Sequence, residues 1–157
     1  MEIISHRINT IESLKDTPFE FGVEIDIRTY GNKLILAHDP FYEGTDFLKW
    51  IKYYNHGTLI LNVKEEGLEN FIIKIMKERN IKDFFFLDQS LPFMIKTTKF
   101  GERRSAVRLS EYESIETVLK FSGSLDWVWV DCFNNFSISK AQYKICLLYT
   151  SPSPRDS

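Results

Sequence analysis

The sequence predicts an α/β fold in which parallel strands are covered by helices, and three observations support this. Short apolar runs alternate with segments whose apolar residues recur at helical spacing, about six times along the chain. The strand segments are almost continuously apolar, which is typical of strands buried on both faces of a sheet. The 157 residues are 43% hydrophobic and 15% aromatic, which suits one domain with a packed core.

The strands are predicted from apolar runs that are bounded by turn or loop residues. The strand at 22–28, GVEIDIR, is followed by Gly31 and Asn32, which suit the positive φ angles of a tight turn. The chain is expected to return from this turn as a hairpin arm at 34–37. The other predicted strands are residues 2–5, 58–64, 83–88, 104–109 and 125–132.

Helices are predicted between the strands from apolar spacing and capping residues. Asn9 is the expected cap of a short first helix, and Thr45 is the expected cap of a helix over 46–54 that Gly57 terminates. Further helices are expected at 68–80, after Ser90, at 114–121 and from Ser137 onwards.

Polar side chains recur at the carboxyl ends of the predicted strands, which is where a (β/α)8 barrel builds its active site. No GxGxxG or GxxxxGK loop follows any strand, which argues against a nucleotide-binding open sheet. Since a TIM barrel needs about 250 residues, the sequence predicts one truncated after about six strand–helix units. The strand-end residues are His6, Arg7, Glu24, Asp26, Asn62, Lys64, Asp88, Arg108 and Asp131.

The carboxyl terminus is interpreted separately from the fold. Residues 146–156, CLLYTSPSPRD, look like a translated sequencing-library adapter, the alternative being an ordinary tail rich in Ser and Pro. We therefore expect a partial TIM-barrel domain at 1–145 and a non-native tail at 146–157. A partial barrel leaves an open sheet edge, so the chain as given is expected to be inactive and to fold poorly.

Composition excludes several classes of partner. The net charge is −2, the pI is about 5.9, and Lys and Arg are scattered, so neither nucleic acid nor an anionic membrane surface is an expected partner. No signal peptide and no apolar run of membrane-spanning length is present, which predicts a cytoplasmic protein without a stable membrane anchor. Cys132 and Cys146 lack metal-site spacing and predict reduced thiols. No protein partner is predicted.

Glu24 and Asp26 lie two apart in a strand, so both carboxylates leave the same face. An isolated ExD pair is more often a surface pair, balanced by Arg28 or a lysine. In a parallel sheet covered on both faces, unpaired carboxylates are costly, which favours a metal ion or a firm partner. Oxygen ligands of this kind suit Mg²⁺ or Ca²⁺ better than zinc.

His6 and His38 flank this strand in the sequence, and each follows an apolar run. A lone histidine there is more often structural, but a pair can act as general base and general acid on a phosphodiester. Arg7 and Lys64 can bind phosphate oxygens, or they can form solvated ion pairs. A third histidine, at position 56, is interpreted as a surface or capping residue.

Four segments together resemble a known family: SHR at 5–7, GVEIDIR at 22–28, LILAHDP at 34–40 and LNVK at 61–64. The family is the glycerophosphodiester phosphodiesterase group of the phosphatidylinositol-specific phospholipase C-like TIM barrels. The resemblance implies hydrolysis of a glycerophosphodiester- or phosphoinositide-like small molecule, often through a cyclic intermediate. The implied roles are catalytic for His6 and His38, metal-binding for Glu24 and Asp26, and phosphate-binding for Arg7.

The sequence departs from the pattern of that family in two places. The residues HRINT at 6–10 shorten the first loop, which alters the expected phosphate pocket. Asn62 stands where the family supplies a third acidic ligand, so metal binding is expected to be weaker unless Asp88 or Asp131 substitutes. With Asn62 as the third ligand and Lys64 on phosphate, the leading hypothesis is a metal-assisted phosphodiesterase. The alternative is a catalytically impaired barrel that binds a phosphorylated ligand.

Overall fold

The computed structural model describes residues 2–135 and 138–150 and confirms the α/β class. The chain divides into two compact units, Met1–Met94 and Ile95–Ser157. The helix predicted to begin at Ser137 starts outside the described residues, and its described part is a helix from Lys140.

The first unit contains a mixed six-stranded sheet in the order β4-β3-β2-β5-β6, with β1 pairing β2 beside this path. The pairs β1–β2, β2–β5 and β5–β6 are parallel, whereas β3 returns antiparallel to β2 as the predicted hairpin arm. The short strand β4 was not predicted from the sequence. The strands are β1 (Ile4–Ser5), β2 (Gly22–Tyr30), β3 (Lys33–Leu36), β4 (Thr45–Asp46), β5 (Leu59–Val63) and β6 (Phe84–Leu87).

The central strand β2 is buried on both faces along most of its length, as the apolar pattern predicts. Its apolar face joins a core that includes the fully buried Phe47 and Trp50 together with apolar residues of β5 and β6. Full burial of one such side chain contributes roughly 1.5–3 kcal/mol. This packing fixes the strand on which the polar residues are carried.

Four helices follow strands of this sheet: α1 (Ile11–Asp16), α2 (Phe47–Trp50), α3 (Glu69–Glu78) and α4 (Leu91–Lys99). Asn9 was expected to cap α1, but the cap is Thr10. The side-chain amide of Asn9 is bonded to Asp26 instead. The helix predicted over 46–54 is confined to one turn, α2, capped by the carboxylate of Asp46. Beyond it, Tyr54 stacks on Trp50 and donates its hydroxyl hydrogen to the carbonyl of Gly57.

The second unit contains the parallel pair β7 (Ala106–Leu109) and β8 (Trp127–Val130), with helices α5 (Ile115–Lys120) and α6 (Lys140–Thr150). Within residues 2–135 and 138–150 the strands form two separate sheets and not a closed barrel. Cys132 and Cys146 are both free thiols. None of the described helices is both long enough and apolar enough to cross a membrane.

Candidate active site

The candidate site is built on the polar face of β2. Successive side chains of a strand point to opposite faces, so Val23, Ile25 and Ile27 share one face of β2. The side chains on the other face are Glu24, Asp26 and Arg28, and all three residues are buried. Buried ionised groups need nearby partners, and each of the three has them.

Both carboxylate oxygens of Glu24 receive hydrogen bonds from other segments. The backbone N–H of Arg7 donates to Oε2 at 2.7 Å, and Nδ2 of Asn62 donates to Oε1 at 2.9 Å. Nδ1 of His6 lies 3.8 Å from Oε2. Arg7 has a φ of 54°, a left-handed conformation uncommon for a residue with a side chain, and this turn brings its N–H to the carboxylate. Glu24 thereby ties the His6–Arg7 segment to β5.

Asp26 exchanges two hydrogen bonds with the side-chain amide of Asn9 and forms an ion pair with Lys64. Nδ2 of Asn9 donates to Oδ2 at 2.8 Å, and the Asp26 backbone N–H donates to Oδ1 of Asn9 at 2.9 Å. Nζ of Lys64 lies 3.2 Å from Oδ1 of Asp26 and 3.9 Å from an oxygen of Asp88. Lys64 is therefore held between two carboxylates and its side chain is only 19% exposed.

Two buried oxygens of the site receive no hydrogen bond from the described residues. They are Oδ1 of Asp26, whose charge is met by the Lys64 ion pair alone, and Oδ1 of Asn62. Asp26 and Asn62 are direct neighbours in the parallel register of β2 and β5. The Asn62 amide cannot turn to relieve this, because Nδ2 is needed as a donor to Glu24. The Asn62 oxygen has no partner and the Asp26 oxygen has one cation, so both atoms can accept a further donor or a cation.

The donor set fits a hard divalent cation, which takes carboxylate and amide oxygens as ligands. Glu24, Asp26 and Asn62 supply two carboxylates and one amide at adjacent positions of two strands. Over the described residues, no group of three His, Cys, Asp or Glu side chains converges as a metal site.

The segments that carry the two histidines lie along the same edge of β2. The N–H of Ile8, two residues after His6, donates to the carbonyl of Glu24 at 2.9 Å. The N–H of Ala37, just before His38, donates to the next carbonyl on that edge, Asp26, at 3.0 Å. The fold thus brings the segments that carry His6 and His38 to consecutive positions along one edge of β2.

Both imidazoles are accessible, with 57% of the His6 side chain and 42% of the His38 side chain exposed. Nδ1 of His38 lies 2.9 Å from the Asp39 carboxylate, which accepts the hydrogen if that nitrogen carries it. Such a bond leaves Nε2 of His38 as the proton acceptor. Accessible rings next to buried charge are suited to proton exchange with a bound ligand.

Of the two predicted phosphate-binding residues, only Arg7 has an uncommitted side chain. In the part of the chain that is described, its exposed guanidinium makes no hydrogen bond or ion pair. Lys64 instead holds Asp26 and borders a cleft of about 180 Å³ at the ends of β5 and β6. The cleft is lined by Val63, Lys64, Glu65, Glu66, Glu69, Asp88, Gln89 and Ser90.

Asp131 and His56, which were also considered from the sequence, contact nearby protein groups. Asp131, in the second unit, pairs with Arg108 at 3.0 Å. His56 is partly buried, with Nε2 at 3.1 Å from the carbonyl of Thr17. Sequence reasoning assigned no site role to Asn9, which bonds Asp26, or to Arg28, although Arg28 continues the period-two face of Glu24 and Asp26.

Comparison with known proteins bears on the fold. The chain resembles the 2.05 Å crystal structure of a "Putative glycerophosphoryl diester phosphodiesterase" from Agrobacterium tumefaciens str. C58 (Dupont), with a TM-score of 0.59 and 12% sequence identity. The match covers 94% of this chain and 90% of the other. This likeness shows the fold. No protein-family model and no curated protein sequence matches the chain.

Proposed function

We propose that this chain carries the site of a metal-assisted phosphodiesterase that acts on a small glycerophosphodiester- or phosphoinositide-like substrate. The observation that carries the proposal is the pair of unbonded buried oxygens on Asp26 and Asn62, beside two accessible histidines. The fold shared with the Agrobacterium structure supports the same reaction class and a TIM-barrel arrangement of the strands. The proposed substrate is a small molecule, and we propose neither nucleic acid nor a protein as partner.

The proposed metal ion is Mg²⁺ or Ca²⁺, with Glu24, Asp26 and Asn62 as its protein ligands. When bound, such an ion supplies positive charge at the phosphoryl oxygens and lowers the pKa of a hydroxyl next to it. Arg7 is placed to bind phosphate oxygens through its uncommitted guanidinium. Lys64 keeps Asp26 oriented by the ion pair at 3.2 Å and adds a second positive charge at the rim of the cleft.

The two histidines move the protons in the proposed reaction. Nε2 of His38 accepts the proton of the attacking hydroxyl in the tautomer whose Nδ1 hydrogen is donated to Asp39. The hydroxyl oxygen forms a bond to phosphorus while the bond from phosphorus to the leaving oxygen breaks, and His6 donates a proton to that oxygen. With a substrate hydroxyl as nucleophile the product is a cyclic phosphodiester, which water then opens with the proton roles reversed.

The alternative function is a barrel that binds a phosphorylated ligand without turnover. Asn62 favours it specifically, because an amide in place of a third carboxylate gives the site less charge to hold a divalent cation. In this case Arg7 and Lys64 bind the phosphate and the histidines serve only as hydrogen-bond partners.

The test is hydrolysis of glycerophosphodiesters, with and without chelator, by the full-length natural protein. We expect turnover that chelator abolishes and that His38→Ala lowers by roughly 10²–10⁴-fold. The matched control is His56→Ala, which removes a histidine bonded to the Thr17 carbonyl and leaves turnover unchanged. Activity insensitive to both chelator and His38→Ala would falsify the proposal. Ligand binding by equilibrium dialysis without any turnover selects the alternative.

A further inference from the structure

Arg28 is a buried cation whose contacts are unlike those of an ordinary ion-paired arginine. It shares the face of Glu24 and Asp26 and is 9% exposed. Nε donates to the carbonyl of Ala37 at 3.0 Å, and Nη2 donates to the carbonyl of His38 at 2.9 Å. Among the described residues it forms no ion pair with any carboxylate, so its charge is compensated by two consecutive backbone carbonyls.

These two bonds restrain a segment of the site that lies beyond the sheet pairing. β3 ends at Leu36, and the last backbone bond to β2 is the one from the Ala37 N–H to Asp26. His38 itself follows that bond and stands at the start of an exposed loop. The planar guanidinium fork clamps the Ala37 and His38 carbonyls and so fixes the peptide units on both sides of the His38 Cα.

The cost of this arrangement indicates a purpose beyond a simple loop contact. Burying a charge carries a desolvation penalty that a neutral donor would avoid, and charge-assisted bonds offset it only in part. A loop could be held by a neutral amide at a lower cost. The guanidinium of Arg28 provides two directional donors in a rigid plane. Rigid placement matters for catalysis, because a displacement of about 1 Å can lower the rate by about 10²-fold.

We propose that Arg28 is a positioning residue that sets the location of the His38 imidazole for proton transfer. The kinetic part of this inference rests on the proposed phosphodiesterase function, whereas the structural part does not. Arg28 acts through the backbone of residues 37 and 38, so its effect depends on His38 being present. A purely structural arginine has no such dependence.

The kinetic test is a double-mutant cycle. Arg28→Gln is expected to lower kcat about 10- to 100-fold and to change KM by no more than about twofold. Losses of this size are typical when a residue that orients a metal-binding side chain is replaced. Arg28→Lys keeps the charge but lacks the fork, so we expect an intermediate kcat. In the His38→Ala background, Arg28→Gln is expected to cause no further loss. The matched control is Arg79→Gln, which removes an exposed arginine at the end of α3 and should leave kcat unchanged.

The structural test uses imidazole NMR signals, since the chain contains only three histidines. Arg28→Gln should shift or broaden the signals of His38 and leave those of His56 unchanged. This arm works in a chain that shows no phosphodiesterase turnover, so failure of the proposed function and failure of the Arg28 inference remain distinguishable. An equal loss of rate from Arg28→Gln with and without His38, or unchanged His38 signals in both Arg28 variants, overturns the inference.

Discussion

The two ends of the parallel strands in the first unit are both rich in carboxylates, yet they are built differently. At the amino ends, Thr58 donates its backbone N–H to Oε1 of Glu2 at 2.6 Å. Its hydroxyl lies 2.7 Å from Oε2 of Glu2 and 3.1 Å from an oxygen of Asp83. At the carboxyl ends, Asp26 and Asn62 each keep a buried oxygen without a hydrogen bond.

The difference separates a structural cluster from the candidate active site. The amino-end cluster packs closely against the backbone of Gly57, where an added Cβ would come to 2.0 Å from Oε1 of Glu2. The carboxyl end adds two accessible histidines and the cleft beside Lys64. Polar residues at strand ends are therefore informative only together with the bonds that they still lack. Substitutions at the two ends should therefore differ in their effect on turnover.

The largest effect is expected from a matched pair of carboxylate-to-amide changes at the two ends. Asp26→Asn should lower turnover by about 10²-fold or more, because it removes a charge that a cation at the site requires. Asp83→Asn should leave turnover within about twofold, since Asp83 contacts only the structural cluster. Both are measured as kcat/KM, with circular dichroism to verify folding. Equal losses in the two variants would show that the ends do not differ in function.

The second prediction sharpens the assignment of the unbonded amide oxygen. In the native chain the Asn62 amide donates a hydrogen bond to Oε1 of Glu24. Asn62→Asp replaces this donor with a second carboxylate, so without metal the variant should be less stable. Mg²⁺ or Ca²⁺ should restore its stability, by about 2.7 kcal/mol at a concentration of about 100 Kd. Thermal unfolding with and without metal measures this. Asn80→Asp, at the exposed end of α3, is the control and should not respond, whereas an equal response from both variants refutes the assignment.

The third prediction concerns the structural end alone. Thr58→Val keeps the side-chain shape but removes the hydroxyl that lies between Glu2 and Asp83, and should reduce the free energy of unfolding by about 1–2 kcal/mol. Turnover of the folded protein should not change. Urea denaturation and a parallel assay measure the two quantities. A loss of kcat comparable to that of Asp26→Asn would contradict the division between the ends.

The smallest effect is expected at alkaline pH. Burial raises the pKa of Tyr54 well above its ordinary value, and the nearby carboxylates of Asp83 and Glu2 raise it further. The folded state therefore keeps the phenol proton that the unfolded chain releases near about pH 10, so the stability from Tyr54 is present below that pH and declines above it. The difference in unfolding free energy between the native chain and Tyr54→Phe should shrink from about pH 8 to about pH 11. A constant difference would contradict the raised pKa.

Much of the fold could be predicted from the local pattern of apolar and capping residues. The predictions that were wrong have identifiable physical causes. Apolar runs located β2, β5 and β6 to within about two residues, a usual uncertainty for element ends. The helix expected over 46–54 ended after α2, where the backbone N–H groups of Lys52 and Tyr53 bond to carbonyls three residues back instead of four. Asn9 had the residue type of a cap, but a partner distant in sequence, Asp26, engaged its side chain.

The α/β alternation and the shared face of Glu24, Asp26 and Arg28 follow from the sequence, because both depend on periodicities within one strand or helix. Which carboxylate oxygens are bonded, and which acceptors lack a hydrogen bond, depends instead on the folded chain. Those outcomes depend on the parallel register that sets Asp26 beside Asn62, and on donors distant in the chain, such as Asn9 and Lys64. Register and long-range contacts arise from packing the whole core, which no local pattern encodes.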